Sequence, residues 1–398
     1  MLAGAMTKGR PGRAVPVETP LESGTLQSIR TLRAAAALLV VVFHVLEKAG
    51  GSFKTGAAGV DLFFVISGFI MWVTTVRRRV SPLTFLGHRV IRILPLYWGV
   101  TLVMASVALV APSLLQNRSL DPARLVASLL FIPHHDHTGM PWPLFVPGWT
   151  LNYEMFFYAV FAAILLLRRP AQIWVATGLL LTLTVLGLLL RPRCPVAATY
   201  TSPLLLEFLA GLWLGQAYTR CRLPGRAAGS AMLLAGIGML VALELAHYDA
   251  DAWRPVLWGG PAFLIVAGAM AREASGSHLR PALLGHLGDA SYSLYLTHPL
   301  TIPVIWTMLP EQAMPMRAAV AVAVSCVIGM LCFILLERPA TRALRSAVAP
   351  ALRSAKPGAS AFQAKGRFAS EGAPAETGYG DPGRFGNGMR DMAPSRRR

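Results

Sequence analysis

The sequence predicts an all-α integral membrane protein, a bundle of about ten transmembrane helices with its N- and C-termini both in the cytoplasm. Of the 398 residues, 54% are hydrophobic and only 14% are charged, whereas soluble domains carry about 25% charged residues. The mean hydropathy is +0.52. Apolar stretches close to the roughly 20 residues that cross a bilayer recur along most of the chain.

Ten such stretches are predicted as membrane spans. They are residues 29–47, 59–76, 93–111, 146–167, 172–190, 201–219, 229–247, 255–271, 289–308 and 316–336. An even number of spans places both termini on one side of the membrane. The stretch 112–145 is then the longest outer loop, and its apolar part, residues 123–132, is too short to cross and is expected at the membrane interface.

The distribution of positive charge orients the bundle. Lys and Arg concentrate in the termini and in the connections on the same side, such as Arg77-Arg78-Arg79 and Arg168-Arg169. Because cytoplasmic connections carry an excess of Lys and Arg, this side is predicted to be cytoplasmic. The net charge of +18 is thereby explained without a nucleic-acid partner.

Three regions follow from the composition. Residues 1–27 lack the apolar core of a cleavable signal peptide and are expected to be a flexible cytoplasmic segment. Residues 28–345 form the ten-helix domain. Residues 346–398 are rich in Gly, Pro, Ser, Ala and Arg without periodicity, which predicts a disordered basic cytoplasmic tail.

The first span carries two ionisable residues, Arg33 and His44. Eleven helical steps of ~100° return nearly to the starting face, so the two side chains point the same way about 16 Å apart. Ionisable groups at membrane depth are costly and by default indicate a functional site. This layout suits an anion at the inner face and a base near the outer face.

Asp61 opens the second span, a short connection after His44. We expect Asp61 and His44 to be neighbours, with the carboxylate fixing the imidazole tautomer and raising its basicity. The alternative is a buried hydrogen-bonded pair that only locks two helices.

Further ionisable residues lie in later spans. Arg89 and Arg92 share one face at the start of span 3, where with Arg33 they suit bidentate phosphate binding. Arg is also common at inner flanks for topological reasons. Glu154 lies about two turns into span 4 and Glu207 similarly in span 6. Either carboxylate is a candidate to bind a sugar hydroxyl, to pair with an arginine, or to hold helices together. A functional role is favoured for Glu154, which we predict to be a catalytic residue with His44 and Asp61.

Two histidine-containing stretches have no settled role. Span 9 contains hydroxyl side chains at helical spacing from Ser291 to His298, which suits a polar cavity lining and also hydrogen bonding between helices. The outer loop contains His134-His135-Asp136-His137, but this spacing matches no closed zinc site. We therefore expect no metal site and no permanently bound cofactor.

The motifs together resemble the membrane-bound acyltransferase family 3. The resemblance rests on Arg-x10-His in span 1, on Gly-Val-Asp-Leu-Phe-Phe-Val-Ile-Ser-Gly-Phe in span 2 and on Arg-Val-Ile-Arg-Ile-Leu-Pro-Leu-Tyr-Trp after it. Residues 149–158, 291–299 and 337–339 look like later landmarks of the family, so the resemblance covers roughly residues 26–345. The form of the stretch 149–158 is most similar to the exopolysaccharide O-acetyltransferase branch.

The resemblance implies an acyltransferase of the bacterial cytoplasmic membrane. It would move an acyl group, usually acetyl, from cytoplasmic acyl-CoA to a hydroxyl of a surface or lipid-linked glycan, with an essential histidine, here His44. Arg33, Arg89 and Arg92 would bind the CoA phosphates, and His44, with Asp61, would remove the proton from the acceptor hydroxyl. Other partners would be the lipid bilayer and polysaccharide-biosynthesis machinery.

Several alternatives stay open at this point. An acyl-histidine intermediate is the mechanistic rival to direct transfer. A macrolide-type small molecule is an alternative acceptor. A glycan transporter or flippase would use the buried charges without acylating anything, and a catalytically inactive member would act as a membrane scaffold.

Overall fold

The computed structural model describes residues 26–77, 80–110, 121–248, 253–277, 282–310 and 314–354. Within these ranges the chain forms helices and turns and no strand. This confirms the all-α class. Nearly all of the expected N-terminal segment 1–27, and residues 355–398 of the expected tail, lie outside the described residues.

The helices follow one another along the chain, and the longest connection in the described ranges is residues 130–147. The first eight are α1 (Gln27–Lys48), α2 (Ala58–Arg77), α3 (Pro82–Val110), α4 (Pro122–Leu129), α5 (Gly148–Ile164), α6 (Arg169–Leu190), α7 (Pro195–Tyr200) and α8 (Leu205–Thr219). The others are α9 (Arg226–Leu245), α10 (Arg254–Leu257), α11 (Gly259–Ala274), α12 (Ala282–Asp289), α13 (Ser291–Met308), α14 (Met314–Cys332) and α15 (Arg338–Ser354). A π-helical turn, Phe333–Glu337, joins the last two.

Seven helical segments in the described ranges are long and apolar enough to cross a membrane, by length and composition alone. They are Gln27–Lys48, Lys54–Val76, Pro82–Val110, Arg169–Leu190, Arg226–Leu245, Arg254–Ala274 and Met314–Pro350. The other three predicted spans coincide with α5, α8 and α13. The first two have only 17 and 15 residues, and α13 carries hydroxyl and imidazole side chains that lower its hydropathy. Ten spans and the cytoplasmic termini remain predictions.

The helix α2 lies at the centre of the bundle. The protein buries 78% of the apolar stretch of this helix, compared with 22% for α6 and 17% for α9. It packs closely on α8, where a Cβ built at Gly68 would lie 2.1 Å from the backbone oxygen of Phe208. A Cβ at Gly211 would lie 2.1 Å from the oxygen of Val65. Small residues therefore bring these two backbones together, as in other membrane helix pairs.

The long connection between α3 and α5 is fastened to α3 through α4. The α4 N-cap residue Asp121 accepts a hydrogen bond from the Ala123 amide, 2.9 Å. The Tyr97 hydroxyl donates to the Ser128 carbonyl at 3.1 Å, and the Trp98 indole N–H donates to the Leu129 carbonyl at 2.9 Å. These bonds hold the short apolar segment against the bundle.

The last helix is longer than the sequence predicted. The tail was expected from residue 346, but α15 continues to Ser354. Its final turns are rich in Ala, Leu and Arg, which favour helix, and Pro350 lies close to the end.

Candidate active site

A cavity of about 80 Å³ lies between α1, α2, α3, α5 and α13. This volume holds several water molecules, since one needs roughly 10–15 Å³. Four of the predicted site residues contribute to its lining: Arg33, Arg89, Arg92 and Glu154. The structure thus brings together residues that are up to 121 positions apart in the chain. Hydroxyl groups complete the polar lining, from Ser67, Tyr158, Ser291, Tyr292 and Tyr295.

Two of the three arginines have neutral hydrogen-bond partners, and the third has none among the described residues. Arg33 donates to the Ser291 hydroxyl at 2.8 Å, and Arg89 donates to the Thr74 hydroxyl at 3.3 Å. Arg92 has no hydrogen bond or ion pair to another residue in the part of the chain that the structure describes. Three guanidinium groups without a contacting carboxylate produce a positive cavity suited to an anion with several oxygens.

Glu154 is the carboxylate of the cavity. One of its oxygens accepts hydrogen bonds from Ser67, 3.2 Å away, and from the Tyr158 hydroxyl one helical turn along α5. The Arg89 guanidinium lies 5.8 Å from the centre of the Tyr158 ring. Glu154 is therefore held by two hydroxyl groups and not by an arginine ion pair, and its second oxygen is available to a ligand.

The π-helical turn brings a second carboxylate near the arginines. Glu337 is buried and accepts a hydrogen bond from Ser293 at 2.5 Å. The charges of Arg33 and Arg92 act on it without direct contact. The wider turn matters because it changes which residues of the last long helix face inward, and such turns are frequent at functional sites.

His44 lies beyond the cavity lining and is connected to it through two aromatic rings. Its ring centre is 5.2 Å from that of His298, with the planes at 23°. The ring of His298 is 5.8 Å from that of Tyr295, which lines the cavity. The Nδ1 atom of His44 lies 3.2 Å from a carboxylate oxygen of Glu47. The His44 side chain is 44% exposed, so it is open to a second reactant.

The expected pairing of Asp61 with His44 is wrong. Both carboxylate oxygens of Asp61 bind Arg254, at 3.2 and 2.9 Å, and Asp61 has no exposed surface. The guanidinium also lies over the rings of Trp258 and Trp149, at 4.8 and 5.6 Å from their centres. A buried carboxylate needs a cation, and a fork of two N–H donors satisfies both of its oxygens where an imidazole satisfies one.

Glu207 belongs to this second cluster. It is 3% exposed and interacts electrostatically with both Asp61 and Arg254. A Cβ built at Gly259 would lie 2.8 Å from one of its oxygens, so the glycine leaves room for the carboxylate. The ion pair between Asp61 and Arg254 thus connects α2 to the start of α10. Glu207 lies beside this pair on α8, and both of its buried carboxylate oxygens lack a hydrogen-bond partner among the described residues.

The histidine-containing loop between α4 and α5 is built around Asp136. One oxygen of its carboxylate accepts from the Thr138 amide at 2.7 Å, from the Thr138 hydroxyl and from the Met140 amide at 3.0 Å. Burial raises the pKa of Asp136, but these hydrogen bonds outweigh it and lower the pKa overall. Across the described ranges, no three His, Cys, Asp or Glu side chains are grouped so as to hold a metal ion.

Three residues of the site region were missed from the sequence. Glu47 lies three positions after His44, a spacing that places both on one helix face, so this contact could have been found. Tyr158 is similarly four positions after Glu154. Arg254 follows Asp61 by 193 positions, and no local pattern connects them.

The family model described as an acyltransferase domain matches residues 26–338. The exopolysaccharide production protein ExoZ of Rhizobium meliloti (strain 1021) is 41% identical over 306 residues, which cover 76% of this chain and 95% of ExoZ. The putative membrane-bound transacylase BcsY of Komagataeibacter xylinus is 29% identical, covering 78% of this chain and 82% of BcsY.

A third relative is a longer protein. The peptidoglycan O-acetyltransferase OatA of Listeria monocytogenes is 28% identical over 355 residues, which cover 78% of this chain and 55% of OatA. No solved structure matches the chain. The matched residues of the family model contain every residue that lines the cavity.

Proposed function

The chain belongs to the acyltransferase 3 family, and from this premise we propose that it moves an acetyl group from cytoplasmic acetyl-CoA to a hydroxyl of a surface or lipid-linked polysaccharide. The observation that carries the proposal is the positive cavity, in which Arg33, Arg89 and Arg92 face Glu154 without a contacting counter-ion. His44 lies two aromatic rings from this cavity.

The donor is assigned from the charge and the length of the site. CoA carries phosphate groups at one end and the reactive thioester at the end of an extended pantetheine arm. The arginines suit the phosphates because a guanidinium binds phosphate oxygens through two N–H groups. The distance from Arg33 to His44 along α1 is about 16 Å, similar to the length of that arm.

We assign His44 as the general base. The Nδ1–H group of His44 donates a hydrogen bond to the Glu47 carboxylate. The Nε2 atom is then free to take the proton from the acceptor hydroxyl. The oxygen then attacks the thioester carbonyl, the new C–O bond forms and the C–S bond breaks. The proton on His44 passes to the departing CoA sulfur. Glu47 here replaces Asp61 as the carboxylate that orients the imidazole.

The acceptor is assigned from the relatives. ExoZ is named for exopolysaccharide production and OatA for O-acetyl transfer to peptidoglycan. Both names support a sugar hydroxyl as the group acylated. Under the orientation that the positive charges predict, the exposed edge of His44 lies toward the outer face of the bacterial cytoplasmic membrane, where such a polymer is accessible.

The test is the O-acyl content of surface polysaccharide, measured by NMR in cells with the intact protein, without it, or with His44→Ala. We expect the ester signals to be lost in cells without the protein and in cells with His44→Ala. His135→Ala, a change at an exposed loop histidine, is the matched control and should keep them. Unchanged esters together with altered amounts of surface glycan would contradict the proposal and favour transport.

A further inference from the structure

His298 is a second imidazole beside the proposed base, and nothing in the transfer step described above uses it. It lies on α13, is 1% exposed, and stacks on the ring of His44. The ring of Tyr295 lies 5.8 Å from that of His298, tilted by 51°. A histidine so deeply buried within a membrane protein needs a reason, since it brings polar atoms into an apolar core.

The hydrogen bonding of His298 fixes its tautomer. The Nδ1 atom lies 3.3 Å from the backbone carbonyl oxygen of Leu294. A carbonyl oxygen can only accept, so Nδ1 carries the proton and Nε2 carries a lone pair. The ring is therefore a neutral imidazole whose free nitrogen is a hydrogen-bond acceptor.

That acceptor has no partner. Among the described residues, none lies within hydrogen-bonding distance of the Nε2 atom of His298. A buried acceptor without a donor costs roughly 1–3 kcal/mol of stability. An apolar side chain of the same size would avoid this cost, so the free nitrogen calls for a function.

The neighbouring ring supplies positive charge only during the reaction. His44 donates its Nδ1 proton to Glu47 in the resting state, so proton uptake at Nε2 turns it into an imidazolium. Glu47 from its own helix and His298 from α13 are the titratable groups that act on His44 within the described residues. The neutral His298 carries its free electron pair on a ring stacked against that of His44, in a site that excludes water.

We infer that His298 is a positioning residue, which stabilises the imidazolium form of His44 through its unprotonated Nε2 atom and holds the His44 ring by stacking. The inference rests on the proposed function. No proton passes to His298: the acceptor proton moves to His44 Nε2 and then to the CoA sulfur. A buried, fixed dipole close to a charge that develops in the transition state is an effective way to lower a barrier.

Two substitutions distinguish the effect of the Nε2 lone pair from the effect of ring stacking. His298→Phe keeps an aromatic ring and removes the acceptor, and His298→Gln offers an amide oxygen near the position of Nε2. Membranes with each variant are assayed with radiolabelled acetyl-CoA and polysaccharide from cells lacking the protein. We expect the Phe change to lower kcat roughly 10- to 100-fold, less than the roughly 100- to 1,000-fold loss caused by removing a group that directly contacts the reacting oxygen.

The KM for acetyl-CoA should stay within about twofold, since the arginines that bind the donor are untouched, and His298→Gln should recover a large part of kcat. Thr297→Val, a neighbouring buried change from polar to apolar, is the control and should keep the wild-type kcat. His298→Met, which also lacks the acceptor, replaces the Phe variant if that protein is not recovered folded.

The outcomes are distinct. A Phe variant with wild-type kcat, or Phe and Gln variants that lose kcat equally, would overturn the inference and leave the proposed function standing. A wild-type protein that transfers no label from acetyl-CoA would overturn the proposed function, and the inference with it.

Discussion

At the scale of single residues, the cavity is defined by which charges are left without a counter-ion. Arg33 and Arg89 are hydrogen-bonded to hydroxyl groups, and Arg92 is bonded to no other described residue. Elsewhere in the same protein Arg254 and Asp61 form a complete ion pair. An arginine that serves packing is neutralised in this way, whereas an arginine that serves a ligand must remain available to it.

The first prediction concerns Arg92. Arg92→Gln removes a charged guanidinium group that we propose binds the phosphates of acetyl-CoA. A hydrogen bond from such a charged group contributes roughly 1.5–3 kcal/mol. We therefore expect the KM for acetyl-CoA to rise roughly 10- to 100-fold, with a smaller effect on kcat, in the radiolabel assay. Arg222→Gln, at an exposed position outside the cavity, is the matched control. An unchanged KM in the Arg92 variant would remove it from the donor site.

A second prediction follows from the Asp61–Arg254 pair. Arg254→Gln leaves the carboxylate of Asp61 buried without its cation, and breaking a buried pair in this way costs about 3–5 kcal/mol. The purified variant should show a lower Tm than wild type. The double change Asp61→Asn with Arg254→Gln removes both charges and should recover part of the loss. A single variant as stable as wild type would show that the pair is not needed for folding.

At the scale of helices, small residues decide how the bundle is assembled. The α2 helix carries the motif with Asp61, Ser67 and Gly68, and its glycine allows contact with α8. Next to this glycine, Ser67 donates a hydrogen bond to Glu154 on α5. The ring of Phe64 stacks on that of Phe208 on α8, with 4.6 Å between their centres. The position of the cavity wall thus depends on a backbone contact that a larger side chain would prevent.

The third prediction tests this contact. Gly68→Ala places a methyl group against the backbone of Phe208, and overpacking of this kind costs about 1–3 kcal/mol. We expect a lower Tm and a loss of transfer activity as α2 is pushed away from α8. Gly99→Ala, in α3 where a Cβ would have open space, should leave both unchanged. Equal behaviour of the two variants would mean that the contact has no energetic role.

At the scale of the whole molecule, the main question is how many helices cross the membrane. The helix α8 has 15 residues, about 22 Å at 1.5 Å per residue, which is shorter than the roughly 30 Å hydrocarbon core. It is nonetheless mostly buried between α2 and α6, and helices shielded by neighbours need less apolar length of their own. The two exposed cysteines flank this helix, Cys194 before it and Cys221 after it.

The fourth prediction uses these cysteines. If α8 crosses the membrane, Cys194 faces outward and Cys221 faces the cytoplasm. In a background with Cys326→Ala and Cys332→Ala, a membrane-impermeant maleimide should label Cys194 in intact cells and Cys221 only after permeabilisation. The variants Cys194→Ser and Cys221→Ser assign each signal. Labelling of both residues from one side would show that α8 does not cross.

The sequence alone determined the all-α membrane class, the approximate position of the long helices and the choice of Arg33, Arg89, Arg92 and Glu154 as candidate site residues. These follow from hydropathy over about 20 residues, from helical spacing and from short motifs, all of which are local in the chain. The contact between His44 and Glu47 was also within reach of the sequence, because it spans a single helical turn.

Only the tertiary structure decided which carboxylate meets which cation. Asp61 is close to His44 in sequence, but its partner Arg254 comes from a helix 193 positions away. His298 meets His44 across two helices and with its Nε2 atom unpaired, which no spacing predicts. Such pairings depend on how distant helices pack and on which buried charge must be neutralised, and this balance exists only once the bundle is assembled.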